Sequence, residues 1–271
     1  MGLRVNTNLF AIRAQQDLFD VTTRLGNNYS RLSSGLRIAS AADDAAGLGI
    51  SERMCSQIRS LGRAARSAQG GISVVQTAEG SINEISNNLN RMRELAIQSA
   101  NGTLSADDRD IIDVEFQALI DEIDRIASDT EFNGTNILDG STDLDIQVGL
   151  NNGDVIAIAA VDLQAATLAI DSLAVDTDTN ASTALAALDT AINSVNTERG
   201  SLGAVQNRLS SAYRSIQNTR EGLTTAESRI RDVDVAEESS DLTRNSILQQ
   251  AAVSILGQAN VQPQLALSLL G

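Results

Sequence analysis

The chain has 271 residues, with 20 basic and 35 acidic side chains for a net charge of −15, one Cys, no His and no Trp. That inventory excludes imidazole-based acid–base or nucleophilic chemistry, internal disulfides, and Cys or His zinc sites. Aromatics are only 2%, so any core is thin and built from Ala, Leu, Ile and Val, the composition of long helices.

Residues 1–70 hold nine Arg and five acids, residues 101–198 hold two Arg and twenty acids, and residues 199–271 hold seven of each. The middle therefore faces solvent, while the balanced ends, apolar along one side, are built to be buried. An acidic surface repels phosphates, which argues against nucleic acid as a partner. No apolar run approaches the ~18 residues of a membrane span, so no membrane insertion is expected. Residues 1–30 also lack the apolar block and cleavage site of a signal peptide.

Along the chain, Ala11, Ala14, Leu18, Val21, Leu25, Asn28 and Leu32 recur at 3-4 spacing. This predicts an amphipathic helix too narrow and too Ala-rich to fold alone. Residues 33–51, SSGLRIASAADDAAGLGIS, read as a linker of irregular turns. The Asp43-Asp44 pair has no neighbouring ligands, so it fits a helix N-terminus better than a metal or acid–base site. Cys55 has no His to activate it and reads as a small side chain on the next helix.

That helix carries Ile58, Leu61, Ala65, Ala68, Ile72 and Val75, slips by one three-residue step to Ala78, and resumes through Ile82, Ile85, Leu89, Met92 and Ala96. The slip predicts local overwinding within one helix. Asn101-Gly102 is the expected C-cap. Ser105 and Asp108 then form a capping-box pattern ahead of a stripe of Ile112, Phe116, Leu119, Ile123 and Ile126. The cluster of Asp107, Asp108, Asp110 and Asp113 lacks the glycine and spacing of a calcium loop and reads as a first turn that complements the helix dipole.

From Phe132 the period changes. Asn133-Gly134 is a turn signal, and Leu144, Ile146 and Val148 alternate with polar residues up to the turn Asn151-Asn152-Gly153-Asp154. With Val155–Ile158 they predict a β-hairpin. Residues 160–181 read as a short strand or helix followed by an exposed loop.

A long ladder follows at 185, 188, 192, 195, 199, 202, 206, 209, 213, 216, 220, 223, 227 and 230, starting after Asn180 or Ser182 as N-cap. Four polar members, Arg199, Gln206, Arg220 and Glu227, are expected to fix register. Such a stripe is a seam for other helices, on a rod roughly 70 Å long. After the interruption DVDVAEE, Leu248, Ala252, Ile255, Ala259, Gln262, Ala266 and Leu269 form a last stripe. The two ends are expected to pair, with the chain folding back at residues 130–180. The fold class is mainly α: a long antiparallel helical bundle or coiled coil with a small β-hairpin region. Expected seams, to be buried against other helices, are Leu18, Val21, Leu25 and Leu32, and Leu248, Ala252, Ile255 and Ala259. No cofactor, metal site or catalytic set is expected.

Several blocks resemble bacterial flagellin, the subunit of the flagellar filament. They are LSSGLRIASAADDAAGLGISERM at 32–54, GISVVQTAEGSINEI at 71–85, RMRELAIQSANGT at 91–103, FNGTNIL at 132–138, LGAVQNRL at 202–209, and SRIRDVDVAEESSDLTRNSILQQAAVSILGQANVQPQLALSLL at 228–270. The pattern departs from the family's at Arg13, where Asn is common, at Cys55, and near Gly71, where Asp or Asn commonly precedes the Gly-Ile. The resemblance implies an inner terminal-helix domain (1–40 with 234–271) and a rod domain of three helices and a hairpin (41–180 with 181–233). About twenty residues stand where relatives carry large variable outer domains. It also implies a homo-oligomeric helical filament for swimming, type III export to the cell exterior, and an export chaperone, cap and hook-junction proteins as partners. A hook-filament junction protein is the alternative, expected to differ in the RMRELAIQ and C-terminal blocks. Recognition by a host Toll-like receptor would fall on Arg91, Leu95 and Glu115. Against this stands the reading that Leu95 and its neighbours pack between subunits.

Ordering some 75 terminal residues costs roughly 75–150 kcal/mol of backbone entropy at about 1–2 kcal/mol each, which a single Ala-rich stripe cannot offset. The ends are therefore expected to order only when neighbouring copies bury them, an open head-to-tail contact giving a helical polymer.

Overall fold

A computed structural model describes residues 7–268, and the side chains of residues 7–262. Five helices carry the fold: α1 (Leu9–Ser34), α2 (Ala45–Ser99), α3 (Ala106–Asp129), α4 (Asp178–Arg231) and α5 (Val235–Ser268). Two antiparallel hairpins, β1 (Glu131–Phe132) with β2 (Thr135–Asn136) and β3 (Leu144–Gln147) with β4 (Val155–Ile158), lie between α3 and α4. Gln57–Glu221 forms one compact unit, and the described residues on either side of it form the other. The divisions fall within α2 and α4, whereas the breaks between helices lie at 35–44 and 232–234.

The larger unit is an antiparallel three-helix bundle. Arg93 on α2 pairs with Asp189 on α4 at 2.7 Å, and Arg91 with Glu115 on α3 at 2.9 Å. On α2 the stripe behaves as expected, with Leu61, Ala65, Ala68, Val75, Ala78, Ile82, Ile85, Leu89, Met92 and Ala96 all buried. The three-residue slip at Ala78 leaves the helix unbroken. Gly71 sits inside this face because a Cβ there would lie 3.0 Å from Ile146 of β3 and 3.3 Å from Leu209 of α4.

Three expectations shift. The expected linker at 33–51 is shorter, because α2 begins at Ala45, where Asp44 accepts a hydrogen bond from the Gly47 amide at 2.9 Å. At its other end α2 stops at Ser99, and no left-handed glycine closes it. Arg109 of α3 instead donates to the Ser99 and Asn101 carbonyls at 2.9 and 3.1 Å, satisfying orphan acceptors that a glycine cap would otherwise meet. On α3 the Ser105–Asp108 capping box is complete, and Ile120 and Ala127 are buried with Ile112, Phe116 and Ile123, while Leu119 and Ile126 flank them half-buried.

The α4 seam is also turned by one residue at every second rung. Leu188, Val195, Leu202, Leu209 and Ile216 are buried as expected, but their companions are Ala184, Ala191 and Val205 rather than Leu185, Ile192 and Gln206. Arg199 and Gln206 therefore flank the seam half-buried and set no register from within it. The physical reason is side-chain size: small Ala at the inner rung lets the helices approach, and the larger Leu and Ile cover the edge. The helix starts earlier than expected, with the Thr177 hydroxyl accepting from the Asn180 amide at 3.1 Å.

Both turn signals hold. Asn133 and Gly134 take φ of 52° and 78°, the pair of positive values a two-residue hairpin requires. Gly153, at φ 90°, turns the second hairpin. Residues 160–177 depart most from expectation. Val161, Leu163, Ala165, Leu168, Ile170 and Val175 are buried in the main core, so this is no exposed loop. The segment has no ladder of its own beyond the Asp139–Asp162 bridge. Side chains of α3 hold its backbone instead: Asp124 accepts from the Ala165 amide at 2.6 Å, Asp113 from the Val175 amide at 2.7 Å, and Gln117 donates to the Leu173 carbonyl at 2.8 Å. The buried Ser99 hydroxyl donates to the Val175 carbonyl. Asp113, one of the four aspartates at the start of α3, is thus a backbone acceptor.

Candidate assembly surface

The smaller unit pairs the two ends of the chain, as the matching stripes predict. The helices run antiparallel, since Asn8 meets Ala259 and Asn28 meets Glu238. The elbow beside α1 is tied by backbone pairing: Gly35, at φ 73°, accepts from the Val233 amide at 3.0 Å, and the Arg37 amide donates to the Arg231 carbonyl at 2.7 Å. Arg231 reaches Glu52 at 2.8 Å. Asp43 accepts from the Ala39 and Ser40 amides and the Ser40 hydroxyl, which hold its carboxyl below the ordinary range.

The seam between α1 and α5 is narrow and partly polar. Ala11, Ala14, Leu25 and Asn28 are buried on α1; Leu18, Val21 and Leu32 are half-buried beside them. On α5 the inward row is Glu238, Leu242, Asn245, Gln249, Ala252, Leu256 and Ala259. The Asn28 amide donates to Glu238, and the Asn245 amide donates to the Asn28 carbonyl oxygen at 2.7 Å. Arg31 stands 3.9 Å from the other Glu238 oxygen and 3.5 Å from Asp43. A buried polar cluster of this kind fixes the register of a helix pair, because any slip leaves its members unmet.

Of the eight expected seam residues, six are buried or half-buried in this pair. Leu248 and Ile255 are not. They point to solvent, because the inward row of α5 follows the polar positions 238, 245 and 249, which apolar periodicity alone passes over. Ala266 and Leu269 lie outside the described side chains. The 3-4 spacing of Glu238, Leu242, Asn245, Gln249, Ala252, Leu256 and Ala259 was the available signal for the inward row.

The outward faces are the unusual feature. Phe10, Phe19 and Tyr29 on α1 are 55%, 72% and 58% exposed, and Ile247, Val253 and Ile255 on α5 are 61%, 55% and 57% exposed. They do not share one stripe, since Phe10 and Phe19, nine residues apart, stand on opposite sides of α1; large apolar side chains exposed on several sides of both helices mark surfaces meant to be covered. The pair is thus small and polar within and large and apolar without, the reverse of a self-sufficient hairpin.

The three positions expected to meet a host receptor divide. Arg91 and Glu115 form a half-exposed ion pair, with Glu94 also 3.1 Å from Arg91, and these two carboxylates hold the Arg91 guanidinium above its ordinary range. Leu95 lies in the core with 2% exposure. It shares the inward face of α2 with Met92 and Ala96. Cys55 is a half-buried free thiol. Among the described residues no helix is long and apolar enough to cross a membrane.

Comparison with known proteins fits this surface. Residues 5–143 match the profile described as bacterial flagellin N-terminal helical region, and residues 185–270 match the bacterial flagellin C-terminal helical region. The unmatched stretch between them contains the second hairpin and the packed segment 160–177. The chain is 45% identical to flagellin of Halalkalibacterium halodurans, covering 98% of this chain and 99% of that protein. It is 42% identical to the flagellar filament 33 kDa core protein of Treponema phagedenis over 98% and 99%. Among solved structures, Bacillus cereus flagellin aligns with a TM-score of 0.52 at 38% identity, over 56% of this chain and 88% of that one. A putative flagellar hook-associated protein of Vibrio parahaemolyticus aligns with a TM-score of 0.56 over 71% and 99%, but at 13% identity it speaks to fold alone.

Proposed function

From the premise that this chain belongs to the bacterial flagellin family and is a structural subunit of the flagellar filament, not an enzyme, we propose how it assembles. Copies add head to tail; residues 1–40 with 234–271 supply the inner terminal-helix layer and residues 41–233 the rod. The large apolar side chains exposed on α1 and α5 carry this reading. Their cover comes from the terminal helices of neighbouring copies, and that burial offsets the entropy of ordering the tails. An isolated subunit keeps the three-helix bundle and loses the order of its ends. Tails without fixed structure suit passage through a narrow export channel to the cell exterior, with an export chaperone, cap and hook-junction proteins as partners. Full-length likeness to filament proteins at 42–45% identity favours this role over that of a hook-filament junction protein.

Negative-stain imaging of the concentrated full chain is the test. Long rods are expected from the intact chain, and soluble helical monomers from chains lacking residues 1–35 or 237–271; filaments from either truncation refute the proposal. The Arg91–Glu115 pair is the part of the receptor-matching surface that solvent reaches, with Leu95 supporting it from beneath. Arg91→Ala is expected to lower binding to the Toll-like receptor ectodomain, and unchanged binding removes that role.

A further inference from the structure

All twenty basic side chains are arginine; the sequence holds no lysine and no histidine. An ammonium gives up its proton near pH 10.4, a guanidinium only above about 12.5. Carboxylates are ionised above about pH 6, so from there to about pH 12 the titrating groups are the α-amino group, Cys55, Tyr29 and Tyr213. None of these three side chains takes part in an ion pair among the described residues. Tyr29 is exposed, and Cys55 and Tyr213 are half-buried. The Tyr213 hydroxyl accepts from the Gln217 side-chain amide at 3.0 Å, a bond that a phenolate keeps.

Guanidinium groups also make the charged ties between elements. In the larger unit Arg93 joins α2 to Asp189 of α4 at 2.7 Å. Arg91 joins α2 to Glu115 of α3 at 2.9 Å, with Glu94 3.1 Å away, and Arg109 donates to the Ser99 and Asn101 carbonyls at the end of α2. Hydrogen bonds to Glu115 and Asp189 hold Arg91 and Arg93 above the ordinary guanidinium range. In the smaller unit Arg31 faces Asp43 at 3.5 Å and Glu238 at 3.9 Å, and Arg231 reaches Glu52 at 2.8 Å. Charge balance acts in the same direction. At −15 the chain already repels its own copies, and with lysine in all twenty places it would approach the −35 of its acids at high pH. A filament would bring those charges within a Debye length of one another.

We propose that the protein is built to work in alkaline surroundings: its arginine ties hold the bundle, and the filament made from it, unchanged from about pH 6 to about pH 11.5. A lysine in the same pairs would contribute fully below its unfolded pKa of about 10.4 and lose that contribution as pH rises through its raised folded value. A guanidinium meets the same loss only above about 12.5. The assembly half of the proposal rests on the filament reading; the folding half stands without it.

The test compares the full chain at pH 7 and pH 11.5, first by thermal circular dichroism. The wild-type midpoint is expected to move by no more than a few degrees. The tie variant Arg91→Lys/Arg93→Lys/Arg109→Lys matches wild type at pH 7 and falls several degrees below it at pH 11.5. The control Arg59→Lys/Arg63→Lys/Arg66→Lys gives up the same charge from exposed arginines that form no ion pair among the described residues, and it falls less. A wild-type midpoint that collapses at pH 11.5, a tie variant that tracks wild type, or equal losses in the two variants overturns the proposal. Should the tie variant lack helicity at pH 7, Arg93→Lys alone takes its place under the same criteria. Pelleting then reads assembly. The wild-type critical concentration is expected to agree within about twofold at the two pH values, whereas Arg31→Lys/Arg231→Lys raises it at least about tenfold at pH 11.5 alone. Wild-type filaments that dissolve at pH 11.5, or an Arg31→Lys/Arg231→Lys chain that assembles there like wild type, overturn the assembly half. No polymer at either pH overturns the filament reading, and the melting comparison still decides the folding half.

Discussion

Asn28→Ala isolates the polar cluster of the terminal pair. Asn28 and Glu238 are only 7% and 8% exposed, and the substitution removes both the donor to Glu238 and the acceptor for Asn245. Arg31, at 3.9 Å, is too distant to replace the lost bond. A hydrogen bond to a charged group is worth about 1.5–3 kcal/mol and a neutral one about 0.5–1.5 kcal/mol, so the loss is roughly 2–4 kcal/mol. If the tails order only on assembly, all of it falls on the polymer, raising the critical concentration roughly 30- to 1,000-fold. Pelleting of filaments across a dilution series reads this directly. Replacing Asn28, Glu238 and Asn245 together by Leu removes every buried member of the cluster except Arg31, which keeps Asp43 at 3.5 Å; that variant is expected to recover most of the affinity while losing the single register. Wild-type assembly by Asn28→Ala, or a triple variant no better than the single one, would refute the reasoning.

Phe116 is fully buried in the three-helix core, so Phe116→Ala is expected to cost about 3–5 kcal/mol and to lower the unfolding midpoint by roughly 6–20 °C, read by thermal circular dichroism. Gly71→Val should destabilise by about 1–3 kcal/mol through overpacking against Ile146 and Leu209. Gly80→Ala, where a Cβ meets nothing within 4 Å, should stabilise by about 0.5–1 kcal/mol; denaturant midpoints distinguish the two signs. The Ser105 hydrogen bonds hold the Asp108 carboxyl below its ordinary range. Its contribution is thus present above the unfolded carboxylate pKa of about 4 and lost as pH falls through the lower folded value. The gap in melting temperature between wild type and Asp108→Asn is therefore expected at pH 6 and to shrink as pH falls below about 4, and a gap that does not shrink on acidification contradicts the capping role.

The elements that could be read in the sequence are those whose residues satisfy themselves locally. The α2 stripe, the Ser105–Asp108 box, the Asn133-Gly134 turn and the 144–158 hairpin each follow from spacing or backbone chemistry over a few residues. What escaped depends on partners far along the chain. Residues 160–177 look like a loop because their backbone acceptors and donors, Asp113, Gln117 and Asp124, sit on α3. Arg109 replaces a glycine cap from ten residues away. On α4 it is Ala191 and not Ile192 that fills the inner rung, and on α5 Glu238 and Asn245 turn inward because they bond Asn28. The two receptor-matching charges stood on the surface, but hydropathy alone could not say that Leu95 lies beneath them.

The stapled segment between the second hairpin and α4 bears on how such a chain could be lengthened. A graft at Asn151–Gly153 would extend a solvent-facing turn and disturb no packed side chain. The same graft within 161–175 would pull six apolar residues out of the bundle and strand the aspartates that grip it. A cargo peptide or an added domain thus has a safer point of entry at the hairpin tip than in the packed segment that follows it.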